Sequence, residues 1–270
     1  MRRGFRGLVV LVAIGGAGYA QTVPAKVLVY DVVSVKVNKS ESGGMMWGNT
    51  PGGTRMENVR LRDLITSAYA LRSPNDEQVT GLPKWAEDTH FDVEAKVSAD
   101  DLEAYKNLND EDRARMMLAA LQERFKLKAH TETRELPTYS MVVAKGGVKM
   151  KLSEAIPPPE PGAKPDSKTH YPGSMSVNMN GSSFHAEFYG FGMEGLAANF
   201  SYQVHRQVKD DTGLTGKYDA ELNWAPDDAK DATLPGIFTA LQDQLGLKLV
   251  PAKGPVKCVV IDHVEMPTEN

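Results

Sequence analysis

Phe91, Val93, Ala95 and Val97 alternate with Asp92, Glu94 and Lys96 in FDVEAKV. That period of two is the mark of a strand with one buried face. YDAELNW repeats it with Tyr218, Ala220, Leu222 and Trp224. Between and after these stretches the period changes. Met117, Leu121 and Phe125 recur at i, i+4 and i+8, and Ile237, Leu241 and Leu245 do the same, which predicts one buried stripe on each of two helices. Upstream, NVRLRDLITSAYAL places Leu61, Leu64, Ile65, Ala68 and Tyr69 on one helical face. FGMEGLAANFSYQV does likewise with Met193, Leu196, Ala197 and Phe200.

The two sets follow one order. TGL (80–82), FDVEAKV, ALQERFKLK (120–128) and PTYSMVVAK are echoed by TGL (212–214), YDAELNW, ALQDQLGLK (240–248) and GPVKCVVIDHV. Four ordered matches with unequal spacers predict a repeated supersecondary unit. Gly246 is expected to close the second late helix in a left-handed cap, where the first copy carries the less suitable Lys126. After each late helix come two short apolar runs separated by turn residues. LKAHTET with TYSMVVA, and LKLVP with VKCVVIDHV, therefore predict two hairpins. The expected fold is α+β: two related strand–helix–strand–strand–helix–hairpin units, with helices packed on small mixed or antiparallel sheets.

Between the units, residues 154–183 include IPPPEPGAKPDSKTHYPGS, rich in Pro, Gly and Ser. Proline lacks the backbone donor that a regular element needs, so this stretch predicts a linker. The expected organisation is residues 1–20 as a signal, 21–153 as the first unit, 154–183 as linker and 184–270 as the second unit. The second unit is short for a core of its own, so contact between the units is expected.

The N-terminus supplies the signal. Arg2, Arg3 and Arg6 precede an apolar run from Leu8 to Ala17, and small residues end at Ala20. That is the layout of a secretory signal peptide, and the run is shorter than a bilayer span. Cleavage after Ala20 would leave Gln21 first and a periplasmic or secreted chain with no transmembrane segment. It also removes three cations, leaving 28 basic residues against 35 acidic ones, a net charge of −7. Such a surface gains nothing from phosphate neutralisation, which argues against a nucleic-acid partner. Cys258, the single cysteine, lies in apolar VKCVVIDHV and is expected to be a buried, unreactive thiol.

NVRLRDLITSAYAL, FDVEAKV, LAALQERFKLKAHTETRELPTYSMVVAKGGVKMK, VKDDTGLTGKYDAELNW, FTALQDQLGLKLVPAKGPVKCVVIDHVEMPTEN and the early YDVVSVKVNKS together carry a resemblance. Over nearly the whole mature chain they resemble a large family of secreted proteins of unknown function abundant in soil acidobacteria. The resemblance implies an exported protein with many paralogues. It also implies kinship with a domain that, in some relatives, follows a membrane metallopeptidase of the antibiotic-sensor type. It brings no catalytic residues. In its short amphipathic patterns the chain is also similar to the short N-terminal domain of secretins and TonB-dependent receptors, a docking module.

Candidate chemistry is sparse. G-x-S-x-G, S-x-x-K, H-E-x-x-H and the P-loop pattern are absent from the sequence. The histidines (His90, His130, His170, His185, His205 and His263) are scattered. HAE (185–187) and HFDVE (90–94) each put a His and a carboxylate on one strand face, short of the three or four ligands zinc requires. DDTGLTG (211–216 from its second Asp) reads as a glycine turn before a strand. Asp92, Glu94, Asp219 and Glu221 recur in both units as a glycosidase pair would need. On the polar face of half-buried strands they are expected only to keep that face wet. Trp47, Trp85, Trp224, Tyr171 and Tyr189 offer flat surfaces for sugars or peptides, or anchors at sheet rims. The expectation is a non-enzymatic binding or interaction module with no cofactor, no metal and no assigned catalytic residue. Its partner would be an extracytoplasmic protein, peptide or glycan. The alternative is an extracytoplasmic glycan or peptide hydrolase with an unrecognised site.

Overall fold

The computed structural model describes residues 28–268 except 41–43, 72–76, 155–169, 181–182, 227–228 and 230–232. The expected signal segment and most of the proline-rich stretch lie outside the described residues.

Twelve strands and six α-helices make up an α+β fold among these residues. In the first half, β1 (Val32–Val37), β2 (Met46–Thr50) and β3 (Gly53–Arg60) lead into helix α1 (Leu61–Ala68). A short β4 (Val79–Thr80), α2 (Lys84–Asp88) and β5 (His90–Lys96) follow. Then come α3 (Leu102–Lys106), α4 (Asp110–Arg124) and a long β6 (Lys128–Val143). In the second half, β7 (Lys151–Leu152), β8 (Ser174–Asn180) and β9 (Ser183–Phe191) lead into α5 (Met193–Gln203). After them come β10 (Val208–Asp210), β11 (Tyr218–Trp224), α6 (Ile237–Ala240) running on through a π-helical turn (Leu241–Leu245), and β12 (Leu247–His263).

The strands form three four-stranded sheets. One has the order β1-β5-β3-β2 and another β7-β11-β9-β8, both antiparallel throughout. Alternation explains their buried faces. Phe91, Val93 and Ala95 of β5 are buried, as are Leu222 and Trp224 of β11.

The third sheet corrects the hairpin expectation. Each C-terminal pair of apolar runs is one continuous strand, and the two strands, β6 and β12, pair with each other antiparallel from Lys128–His263 to Val143–Leu247. β10 adds to β6 and β4 adds to β12, both in parallel, giving the order β10-β6-β12-β4. Pro137, Pro251 and Pro255 looked like turn residues. In this register they share the parity of Tyr139 and Val259, whose N–H groups point out of the ribbon to Gln207 O and Gln78 O. A proline there deletes no bond between β6 and β12.

The ribbon stitches two cores together. The first gathers α1, α4, β3 and β5 and takes in Val259 and Ile261 from β12. The second gathers α5, α6, β9 and β11 and takes in Met141 from β6. Phe91 and Phe125 meet edge to face, with centroids 5.3 Å apart, inside the first core, a contact worth about 0.5–1.5 kcal/mol beyond its area. Gly246 takes its left-handed cap at φ 70°, and Lys126 adopts the same region at φ 51°. A second correction concerns the expected linker, within whose bounds Ser174–Asn180 forms β8, paired along its length with β9.

Candidate functional site

A cavity of about 660 Å³ lies between the two halves. Ala70 and Leu71, just after α1, form part of its wall with Gln78 and Lys257. Glu194, Ala197, Ala198 and Ser201 of α5 and residues 207–210 around β10 complete it. Its polar groups are held in place. Lys257 Nζ donates to Tyr69 O at 2.9 Å, and Gln78 Nε2 donates to Lys257 O at 3.3 Å. The Ser201 hydroxyl donates to Ala197 O and accepts the Val208 N–H, both at 2.8 Å, fastening α5 to β10. Asp210 accepts the N–H and hydroxyl of Thr212, with Gly213 at φ 68°, so DDTGLTG is indeed a turn. Beside it Lys209 pairs with Asp211 at 2.7 Å. That hydrogen bond raises the lysine's pKa and, with a second bond from Ser140, lowers the aspartate's.

A second, more apolar cavity of about 300 Å³ sits where the inner face of the β9–β11 sheet extends beyond α5. Met175, Val177, Phe188, Phe200, Leu222 and Trp224 line it, with Asn199, Tyr202 and Gln203 at one side. Met175 and Val177 belong to β8, at the free edge of that sheet, and are exposed.

The outer face of the same sheet gathers titratable groups. Glu187 and Glu221 stand directly opposite each other in the register. His185 lies 3.8 Å from the first and 3.7 Å from the second, and its Nδ1 is 2.8 Å from Asn223 Oδ1. Ser176 donates to Glu187, and the His170 ring stacks on Tyr189 at 3.8 Å. Partial desolvation, then the charge of Glu187, raises the Tyr189 phenol. This cluster is open to solvent. Among the described residues no group of three or more His, Cys, Asp or Glu is arranged to hold a metal ion.

The four recurring carboxylates divide. Glu94 is exposed and paired with Lys96 at 2.7 Å, which holds its carboxyl below the usual range. Glu221 is also exposed. Asp92 and Asp219 correct the expectation of a merely wet face. Asp92 accepts the N–H of Asn58 at 3.0 Å and the side chain of Asn38 at 2.7 Å, while Asp219 accepts the N–H of Gly190 at 2.7 Å. Asn58 and Gly190 both sit at positive φ where β3 and β9 shift register. Asp92 and Asp219 thus brace bulges in different sheets.

Of the aromatics, Trp224 is buried and stacks on Phe184 at 5.2 Å, whereas Trp47 on edge strand β2 is 39% exposed. Trp85 packs half-buried against the first core. Cys258 is inaccessible, and burial raises its thiol pKa. Sequence reasoning missed the central cleft. Its lining comes from helix ends and a three-residue strand, which carry no motif, and only the interleaving of the halves assembles it.

An α+β protein with a mixed-charge cleft is therefore the class that fold and geometry define. The chain belongs to the family described as a protein of unknown function, DUF3738, whose model matches residues 62–264. No curated protein matches, and neither does any solved structure. Among the described residues no helix is long and apolar enough to cross a membrane.

Proposed function

We propose that this is an exported, non-enzymatic binding module that takes its ligand in the cleft between the halves. The observation that carries the reading is the cleft itself. Its size falls within the 300–1,000 Å³ typical of ligand sites, and it has fixed polar groups set among small apolar side chains. The titratable cluster that would serve a hydrolase lies on an open sheet face, where water dilutes electrostatic effects that catalysis needs concentrated. Export rests on the signal-like segment ending at Ala20, and the resemblance to secreted soil-bacterial proteins agrees with it.

Both outer sheets have the same strand order, each bulge residue is braced by an aspartate, and the late helices end in matching left-handed caps. We take this as support for a duplicated unit whose copies exchanged their short strands β4 and β10, leaving the cleft between them.

Thermal melts of the chain from Gln21 onward, against panels of peptides, glycans and nucleotides, test the reading. A ligand at a hundred times its Kd stabilises by about 2.7 kcal/mol. Ala198→Trp, which fills the cleft, should abolish that shift without lowering the unliganded midpoint. Turnover of a glycosidase, esterase or peptidase substrate that is lost in Glu187→Gln or Glu221→Gln, with an unchanged midpoint, would establish the hydrolase instead.

A further inference from the structure

We infer that the cleft's ligand is a short peptide with free termini, lying extended along the open edge of β10; this rests on the binding reading above. β10 is the outermost strand of the ribbon sheet and pairs on one side only, with β6. In a parallel pair every second residue turns both backbone groups to its neighbour. Gln207 O accepts from Tyr139 N–H and Asp211 N–H donates to Met141 O, so the odd-numbered residues serve β6. Val208 and Asp210 therefore direct theirs to the other side. The Val208 N–H is already taken by Ser201 Oγ of α5, so this side faces α5 and the cleft, and the part of the edge left open is the Val208 carbonyl with the N–H and carbonyl of Asp210. Residues 207–210 all line the cavity, which side chains alternating between two faces would not achieve. The backbone edge is itself part of the wall.

An open edge facing a cleft is the geometry in which an extended segment adds as a further strand, its main chain supplying affinity. The charges narrow the choice. Glu194 and Asp210 bring carboxylates to the lining and Lys257 an ammonium group, while the charge of Lys209 is balanced by Asp211. That balance disfavours a polyanion or polycation and suits a ligand with one charge of each sign. The apolar wall of Ala197 and Ala198 favours small side chains.

The experiment is calorimetric titration of the chain from Gln21 with four probes. These are tetra-alanine with free termini, the same peptide acetylated and amidated, two tetra-alanines N-methylated at alternate amides, and maltotetraose. Tetra-alanine should bind. Blocking its termini should weaken binding about tenfold, and N-methylation should do so in one register only, since each removes an ion pair or a hydrogen bond. Ala198→Trp should abolish binding with an unchanged thermal midpoint. Equal binding of both N-methylated peptides overturns the strand-addition inference, as does peptide binding that survives Ala198→Trp. Binding of maltotetraose alone overturns the peptide inference but leaves the cleft as a binding site. Absence of binding by every probe also overturns the peptide inference, while the wider ligand panel still decides the cleft's role.

Discussion

The Asp219 carboxylate on β11 accepts the N–H of Gly190 on β9 at 2.7 Å, at the point where the two strands slip register. Asp92 on β5 does the same for Asn58 on β3. A bulge leaves one residue outside the ladder, and here its N–H is caught by the facing strand. Replacing Asp219 or Asp92 by Ala strands that donor and should cost about 1–3 kcal/mol. Glu94→Gln and Glu221→Gln, on the exposed face, should each stay within about 0.5 kcal/mol. Urea denaturation of the four variants checks this, and equal effects for Asp and Glu would remove the bracing role.

Proline placement in the ribbon gives a sharper test. Lys253 faces Pro137 in a register where N–H groups point outward, whereas Ala252 faces Thr138 in the register that bonds β6 to β12. Lys253→Pro should therefore be tolerated. Ala252→Pro deletes a ladder bond and should cost at least about 1 kcal/mol. If the two substitutions prove equally harmful, the strand pairing is wrong.

The same prolines explain why the sequence was only partly legible. Alternation in FDVEAKV and YDAELNW, and the i, i+4 stripes through Leu121 and Leu241, are local signals, and the strands and helices stand where those signals put them. Pairing is not local. Nothing between Lys128 and Val143 says that its partner begins at Leu247, and Pro137 and Gly254 look like turns unless that partner is known. Ser174–Asn180 was hidden for a similar reason. Its polar face is Ser and Asn, and its apolar face of Met175, Val177 and Met179 is itself exposed, so its composition is that of a loop. The cleft residues Gln78, Glu194 and Lys257 come from three separate elements, and no spacing along the chain unites them.

Alkaline pH should loosen the fold. Burial raises the Cys258 thiol above its ordinary value of 9.0. Partial burial also raises the Tyr69 phenol above 10.0, with Asp262 adding to the shift. A group whose folded pKa exceeds its unfolded value contributes stability that is complete below the unfolded value. The contribution is lost as pH rises through the folded one. The urea midpoint should therefore show no loss from these groups up to about pH 9 and then fall. Cys258→Val should remove the earliest part of that fall and leave the phenol part. A midpoint that rises above pH 9 would contradict the burial of these groups.

Leu121 and Leu241 are each buried in a different core, at 2% and 0% exposure. Replacing either by Ala leaves a cavity and should cost about 2–5 kcal/mol. Two independent units would respond separately, one melting early while the other kept its midpoint. The ribbon predicts otherwise. Val259 and Ile261, at one end of β12, complete the first core, whereas Leu247 and Leu249, at the other end, belong to the second. Loss of either core strips one end of β12 of its packing and exposes the strand pairing that serves both. Near-ultraviolet and far-ultraviolet circular dichroism should therefore follow one coincident transition in the parent and in both variants, with each substitution lowering that shared midpoint. A biphasic melt in Leu121→Ala, with its second phase at the parental midpoint, would mean that the second core stands without the first.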